Sequence, residues 1–214
     1  MNRNLFLSGI CALGLANAGF SDVKVGNPMA VTGPIPELVK PMTAAIDLAV
    51  DHVNSQGGLF SDGQKYVSVR VDSGCDPVAA VDAVTKLVNV ELVTGIIGPV
   101  CSGSTIAQAE SVAIPAGVVT LSVSASSPAI STMESNTDLV FRTAASDAYQ
   151  GIALAELAMA KGLKDIAVSY ANDDYNAAIA EVFVEAYKGM GGKITANEAH
   201  EPGKSSYRSE VATL

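Results

Sequence analysis

The sequence predicts an α/β protein built on a doubly wound parallel sheet. Short apolar runs of strand length alternate with longer segments of helical spacing along most of the chain. Gly, Pro and Asp punctuate the junctions. The composition, 49% hydrophobic but only 5% aromatic and without Trp, suits helices packed closely on a sheet. Strands separated by helices imply right-handed βαβ crossovers, and such folds bind ligands beyond the carboxyl ends of their strands.

Residues 23–31 (VKVGNPMAV) form an apolar run ending at the turn signal Thr32-Gly33-Pro34. Residues 41–53 carry apolar side chains at helical spacing and stop at Gln56-Gly57-Gly58. Residues 66–71 alternate as a strand. Asp76 is a candidate N-cap with Pro77 at the first helical position, and Val78, Val81, Val84 and Val88 are the expected buried stripe. A buried strand at 93–97 ends at Gly98-Pro99, followed by a helix over 102–113 and a strand over 118–123. Further on come a strand at 140–143, a helix at 147–161 closed by Gly162, a strand at 165–170, a helix at 175–190 and a strand at 193–199. A last helix begins at Tyr207, and the chain stops inside its pattern, so a fragment is expected.

The net charge of −9 repels phosphate backbones, which argues against a nucleic-acid partner. The N-terminus has a basic start, an apolar run from 5 to 15 and the small-x-small sequence Ala16-Asn17-Ala18. Those features predict a cleaved export signal over residues 1–18. Cys11 leaves with it, and Cys75 and Cys101 remain, an even number in an oxidising compartment. They are expected to pair; two buried free thiols are the alternative.

Two segments carry candidate chemistry. Residues 98–105 (GPVCSGST) join a buried strand to a helix, where free N–H groups and hydroxyls can receive a carboxylate. Ordinary N-capping by Ser102 or Ser104 explains the same residues. Residues 122–128 (SVSASSP) can offer N–H and C=O groups to a ligand, or form a plain Ser-rich turn. His52 and His200 lie apart from both segments, no base is evident beside Ser102, and no zinc spacing occurs. The adjacent Asp173 and Asp174 could hold a cation, but such a pair is usually a solvated turn. No enzymatic activity, metal or cofactor is expected; an exported enzyme using Ser102 as nucleophile is the rival.

Cys75-Asp76-Pro77, residues 98–105, residues 124–128 (SASSP) and Phe141-Arg142-Thr143 together resemble the periplasmic leucine/isoleucine/valine-binding protein family. Residues 31–34 and 54–58 fit the same pattern, and the similarity runs from about 23 to 214. The resemblance implies a type I periplasmic-binding-protein fold of two lobes, with residues 19–143 as the first and 144–214 as the start of an incomplete second. It implies a solute-binding component of an amino-acid ABC transporter, a periplasmic monomer that takes a small amino acid or related carboxylate and meets the membrane only through the permease subunits. A sensing or receptor subunit is the alternative role. By the same resemblance Cys75 and Cys101 form the lobe-one disulfide. Ser102 holds the ligand carboxylate, the Ser124 carbonyl receives its ammonium, Ser126 binds its main chain, and Tyr175 touches it after closure. Tyr175 could instead pack on its own lobe. Asp147 is a further candidate beside the lobe crossing, with helix N-capping as its other reading. Leu38 stands where some members have an aromatic residue over the ligand side chain. The family also continues past residue 214 to an acidic partner for the ammonium, so weak binding is expected of this chain alone.

Overall fold

A computed structural model describes residues 21–58, 63–135 and 138–214; the expected export signal lies outside them. Five parallel strands form one sheet in the order β2-β1-β3-β4-β5. They are β1 (Val23–Met29), β2 (Tyr66–Asp72), β3 (Gly95–Ile97), β4 (Val119–Ser122) and β5 (Val140–Arg142). The strand order reverses between β1 and β3, so the switch-point crevice opens beyond their carboxyl ends. The interior strand β1, between β2 and β3, is the most buried. Its Asn27 is fully buried and satisfied, since Nδ2 donates to the Ile97 carbonyl at 3.2 Å and Ser68 donates to Oδ1.

Helix α1 (Pro36–Ser55) begins five residues before the expected start at 41. Pro36 at the first position loses no helical hydrogen bond, so the helix can start there. Pro41 lies inside the helix, where its missing N–H leaves one carbonyl without its usual donor. Helix α2 (Pro77–Asn89) is capped as expected, with Asp76 Oδ1 accepting from Ala79 N at 2.8 Å. Its buried face matches the predicted valine stripe in part: Val84 is buried as expected and Val88 packs against the core beside it. Ala80, Ala83, Val84 and Leu87 are buried, while Val78 is 71% exposed. The alanines bring the helix close to the sheet, and Leu87 fills the space above Gly26. A Cβ on Gly26 would lie 2.8 Å from Leu87 Cδ1.

The helix expected over 102–113 divides into α3 (Ser102–Gln108) and a π turn, Ala109–Ala113. The wider turn keeps both Ala109 and Ala113 fully buried. A one-turn helix, α4 (Ala129–Thr132), follows Pro128 where no helix was expected. The chain then builds α5 (Ala148–Ala160), β6 (Asp165–Ala171), α6 (Asp174–Gly189), β7 (Lys193–His200) and α7 (Arg208–Val211). β6 and β7 pair in parallel as a second, separate sheet. Helices α5 and α6 close its core through Ala155, Ala158 and Tyr187; the Tyr187 ring stacks on Phe183 at 5.5 Å and its hydroxyl donates to the Leu163 carbonyl. Among the described residues, no helix is long and apolar enough to cross a membrane.

Candidate functional site

The loops at the carboxyl ends of the five-stranded sheet are tied to one another in sequence. Asp72, the last residue of β2, reaches the loop after β1. Its carboxylate accepts from Val31 N at 3.0 Å, Thr32 N at 3.2 Å, Thr32 Oγ1 at 2.5 Å and Gly74 N at 3.0 Å. Gly33, at φ 93°, presses on the carbonyl of Gly74, and any Cβ there would collide with it. The next tie is covalent. Cys75 and Cys101 form a disulfide with their Cα atoms 5.4 Å apart, joining the loops after β2 and β3. The paired outcome of the cysteine count is therefore the one observed.

Asp72 gives this frame a pH dependence. Partial burial raises its pKa, but the hydrogen bonds from Thr32 and the Gly74 and Val31 amides outweigh that, and the carboxyl sits below its ordinary value. A carboxyl depressed in the folded state stabilises it above the unfolded pKa of about 4. That contribution is lost as pH falls through the lower, folded value. Asp72→Asn is expected to flatten the acid limb of stability, read as the urea midpoint between about pH 5 and pH 2.

The loops after β3, β4 and β5 meet around three side chains. Ser102 is 2% exposed, and its Oγ accepts from Ser126 N at 3.3 Å and Ser127 N at 3.2 Å. Ser126 donates its hydroxyl to Asp147 Oδ2 at 2.5 Å, and Asp147 N returns a bond to the Ser126 carbonyl at 2.9 Å. Ser124 Oγ donates to the Val100 carbonyl at 2.8 Å. Behind them Ser122 Oγ donates to the Pro99 carbonyl at 2.6 Å and accepts from Ala125 N at 3.1 Å. Arg142 holds the outer edge, donating to the Ser127 carbonyl at 2.8 Å and to Ser131 Oγ at 2.6 Å.

This arrangement overturns two bland readings. Neither Ser102 nor Ser104 caps α3: the cap position is Cys101, without a side-chain bond. Asp147 occupies the cap position of α5 but makes no capping bond, because its carboxylate turns to Ser126. Tyr175 lies in the first turn of α6 at 40% exposure. Burial of its ring, then the negative charges of Asp147 and Asp173, push its pKa above the usual phenol value. Ser102, Ser126 and Asp147 are therefore joined by hydrogen bonds, with Ser124 tying the same two loops together. Leu38 is 62% exposed on α1. His52 bonds Gln56, and His200 lies by Ser169 with its ring edge-on to Tyr207. Asp173 and Asp174 are both exposed, as expected of a solvated pair, and Asp173 also caps α6, accepting from Asn176 N at 2.8 Å. No acidic, His or Cys cluster able to hold a metal occurs among the described residues.

Sequence reasoning missed the clamp role of Asp72 and the anchoring role of Arg142. An Asp that ends a strand just before Ser73-Gly74 was the available signal for the first. A groove of about 680 Å³ lies elsewhere, against β6 and between α5 and α6, lined by Leu154, Leu157, Ile166 and Phe183. It contains none of the five candidate residues.

The profile of the periplasmic binding protein family matches residues 22–214. The chain belongs to that family. A Leu/Ile/Val-binding protein of Citrobacter freundii is 28% identical over 216 aligned positions, covering 100% of this chain and 57% of that protein. This chain therefore spans a little over half the length of that curated relative. The structure of the branched-chain amino acid transporter substrate-binding protein LivJ from Streptococcus pneumoniae, in complex with isoleucine, superposes with a TM-score of 0.74 at 28% identity. It covers 90% of this chain and 53% of the other. A solute-binding protein of an ABC transporter from R. palustris, in complex with benzoate, superposes at 0.76 with 25% identity, covering 89% of this chain and 51% of the other. The family's type I fold is the one described above, an α/β chain with two separate parallel sheets.

Proposed function

We propose that the chain is the ligand-binding part of an exported component of an ABC importer that captures a small amino acid or related carboxylate between its lobes. The lobes divide near residue 143. The observation that carries this reading is the Ser102–Ser126–Asp147 linkage. A hydroxyl has two acceptor positions and one hydrogen. Ser102 fills both acceptor positions with backbone amides, so its remaining hydrogen can only be donated, and a carboxylate is the matching partner. Asp147, a carboxylate only 7% exposed, favours a cation opposite it. A donor and a buried carboxylate joined through Ser126 suit a zwitterion. Tyr175 stands over the same region and Ser124 holds the β3 loop in place. None of these steps is covalent, and no cofactor is required. The protein acts as a periplasmic monomer that presents its closed form to the permease subunits. Structural neighbours named as transporter binding proteins support delivery, while a relative from Halobacterium salinarum named as the substrate-binding protein of a chemotactic signal-transduction system supports sensing as the second reading.

A thermal-shift series on the full chain tests this, using isoleucine, leucine, alanine, benzoate, glucose and adenosine. A ligand at 100 times its Kd adds about 2.7 kcal/mol of stability. Isoleucine or another α-amino acid is expected to raise Tm most, with benzoate weaker because it has no ammonium for Asp147. A rise with glucose or adenosine alone would overturn the reading.

A further inference from the structure

The two lobes touch at a point that the ligand-binding reading does not use. Asp174 opens α6 in the second lobe, while its neighbour Asp173 does the capping. The Asp174 carboxylate rests against Gly103 in α3 of the first lobe, beside the ring of Pro77 where α2 begins. A Cβ built on Gly103 would collide with Asp174 Oδ2; it would also lie 3.3 Å from Asp174 Cγ and 3.5 Å from Pro77 Cγ. Gly103 has no need of its own for glycine. It lies within a helix and outside the positive-φ positions, where alanine is the better helix former. What the missing side chain provides is room for the other lobe.

We propose that Gly103 is the seat on which Asp174 lands when the lobes close, and that the size of residue 103 sets the balance between open and closed forms. A ligand that needs the closed form binds with an apparent Kd equal to its intrinsic value divided by the closed fraction. Side-chain bulk at 103 lowers that fraction, which the ligand-free distances read without any ligand contact. Only the binding arm of the test rests on the proposed function; the distance arm does not.

The experiment places spin labels at Lys86→Cys on α2 and Glu185→Cys on α6, both exposed positions. Interlobe distances are measured on the full chain without ligand and with saturating isoleucine. Gly103→Leu is expected to lose the short-distance population and to weaken isoleucine at least about tenfold. Gly103→Ala should shift it part of the way, and adding Asp174→Ala should restore the wild-type distribution, because the colliding carboxylate is gone. Gly103→Ala remains informative if the leucine variant does not fold. Wild-type distances in both Gly103 variants would overturn the proposal, as would a failure of Asp174→Ala to rescue Gly103→Ala. An isoleucine Kd of the wild-type value in Gly103→Leu would also overturn it. If wild-type protein ignores isoleucine, the cargo reading fails, while the ligand-free distances still decide the seat.

Discussion

Ser102→Ala is expected to weaken isoleucine binding by roughly 10- to 150-fold, the equivalent of one hydrogen bond of about 1.5–3 kcal/mol to a charged group. The same change is expected to cost roughly 1–3 kcal/mol of folding stability. The second effect follows from the acceptor side of the hydroxyl. Ser126 N and Ser127 N both point at Ser102 Oγ in a nearly dry position, and alanine leaves two amides there without a partner. Ser124→Ala is the comparison, since it removes one donor from the Val100 carbonyl at a half-buried site and should cost less. Isothermal titration and urea unfolding on both variants separate the effects. A Ser102→Ala protein of reduced stability but unchanged Kd would leave the residue a purely architectural role.

Removing the disulfide by replacing Cys75 and Cys101 with alanine is expected to cost about 3–4 kcal/mol. The bridge spans 26 positions, and in the chain-entropy account its contribution comes from restricting the unfolded chain. It also fastens the loop after β2 to the one that leads into Ser102. Loss of the bridge should therefore weaken binding beyond the loss of stability, with the Asp72 clamp left to hold the first two loops alone. Urea midpoints of the alanine pair and of reduced wild type should agree. A drop below about 1 kcal/mol would mean that the bridge adds little to ties already made by hydrogen bonds.

The strands and the Asp76 cap were legible in the sequence because each rests on local chemistry, whereas the joint role of the two serine loops came from the family resemblance. Apolar runs and a capping Asp before Pro77 both act within a few residues. The misreadings have a different origin. Val84 and Val88 do pack on the core, but Val78 is exposed, and Ala80 and Ala83, which the valine stripe leaves out, are buried. Helix orientation is decided by how closely the backbones approach, and Gly26 lies on a strand some fifty residues away in sequence, roughly the separation over which no local pattern speaks. Asp147 was ambiguous for a related reason. Its position suited a cap, and only the approach of Ser126 from another loop turned its carboxylate away.

The frame of tied loops has one more consequence. Its serines and Asp72 hold mainly backbone groups, so its shape depends little on what projects from it. Leu38 on α1, Tyr149 on α5 and Tyr175 on α6 take no part in those ties and are exposed at 62%, 74% and 40%. Selection can change such residues one at a time without disturbing the fastening beneath them. A scaffold organised this way separates the fastening of the loops from the exposed side chains around them, so those side chains can be exchanged while the fold stays intact.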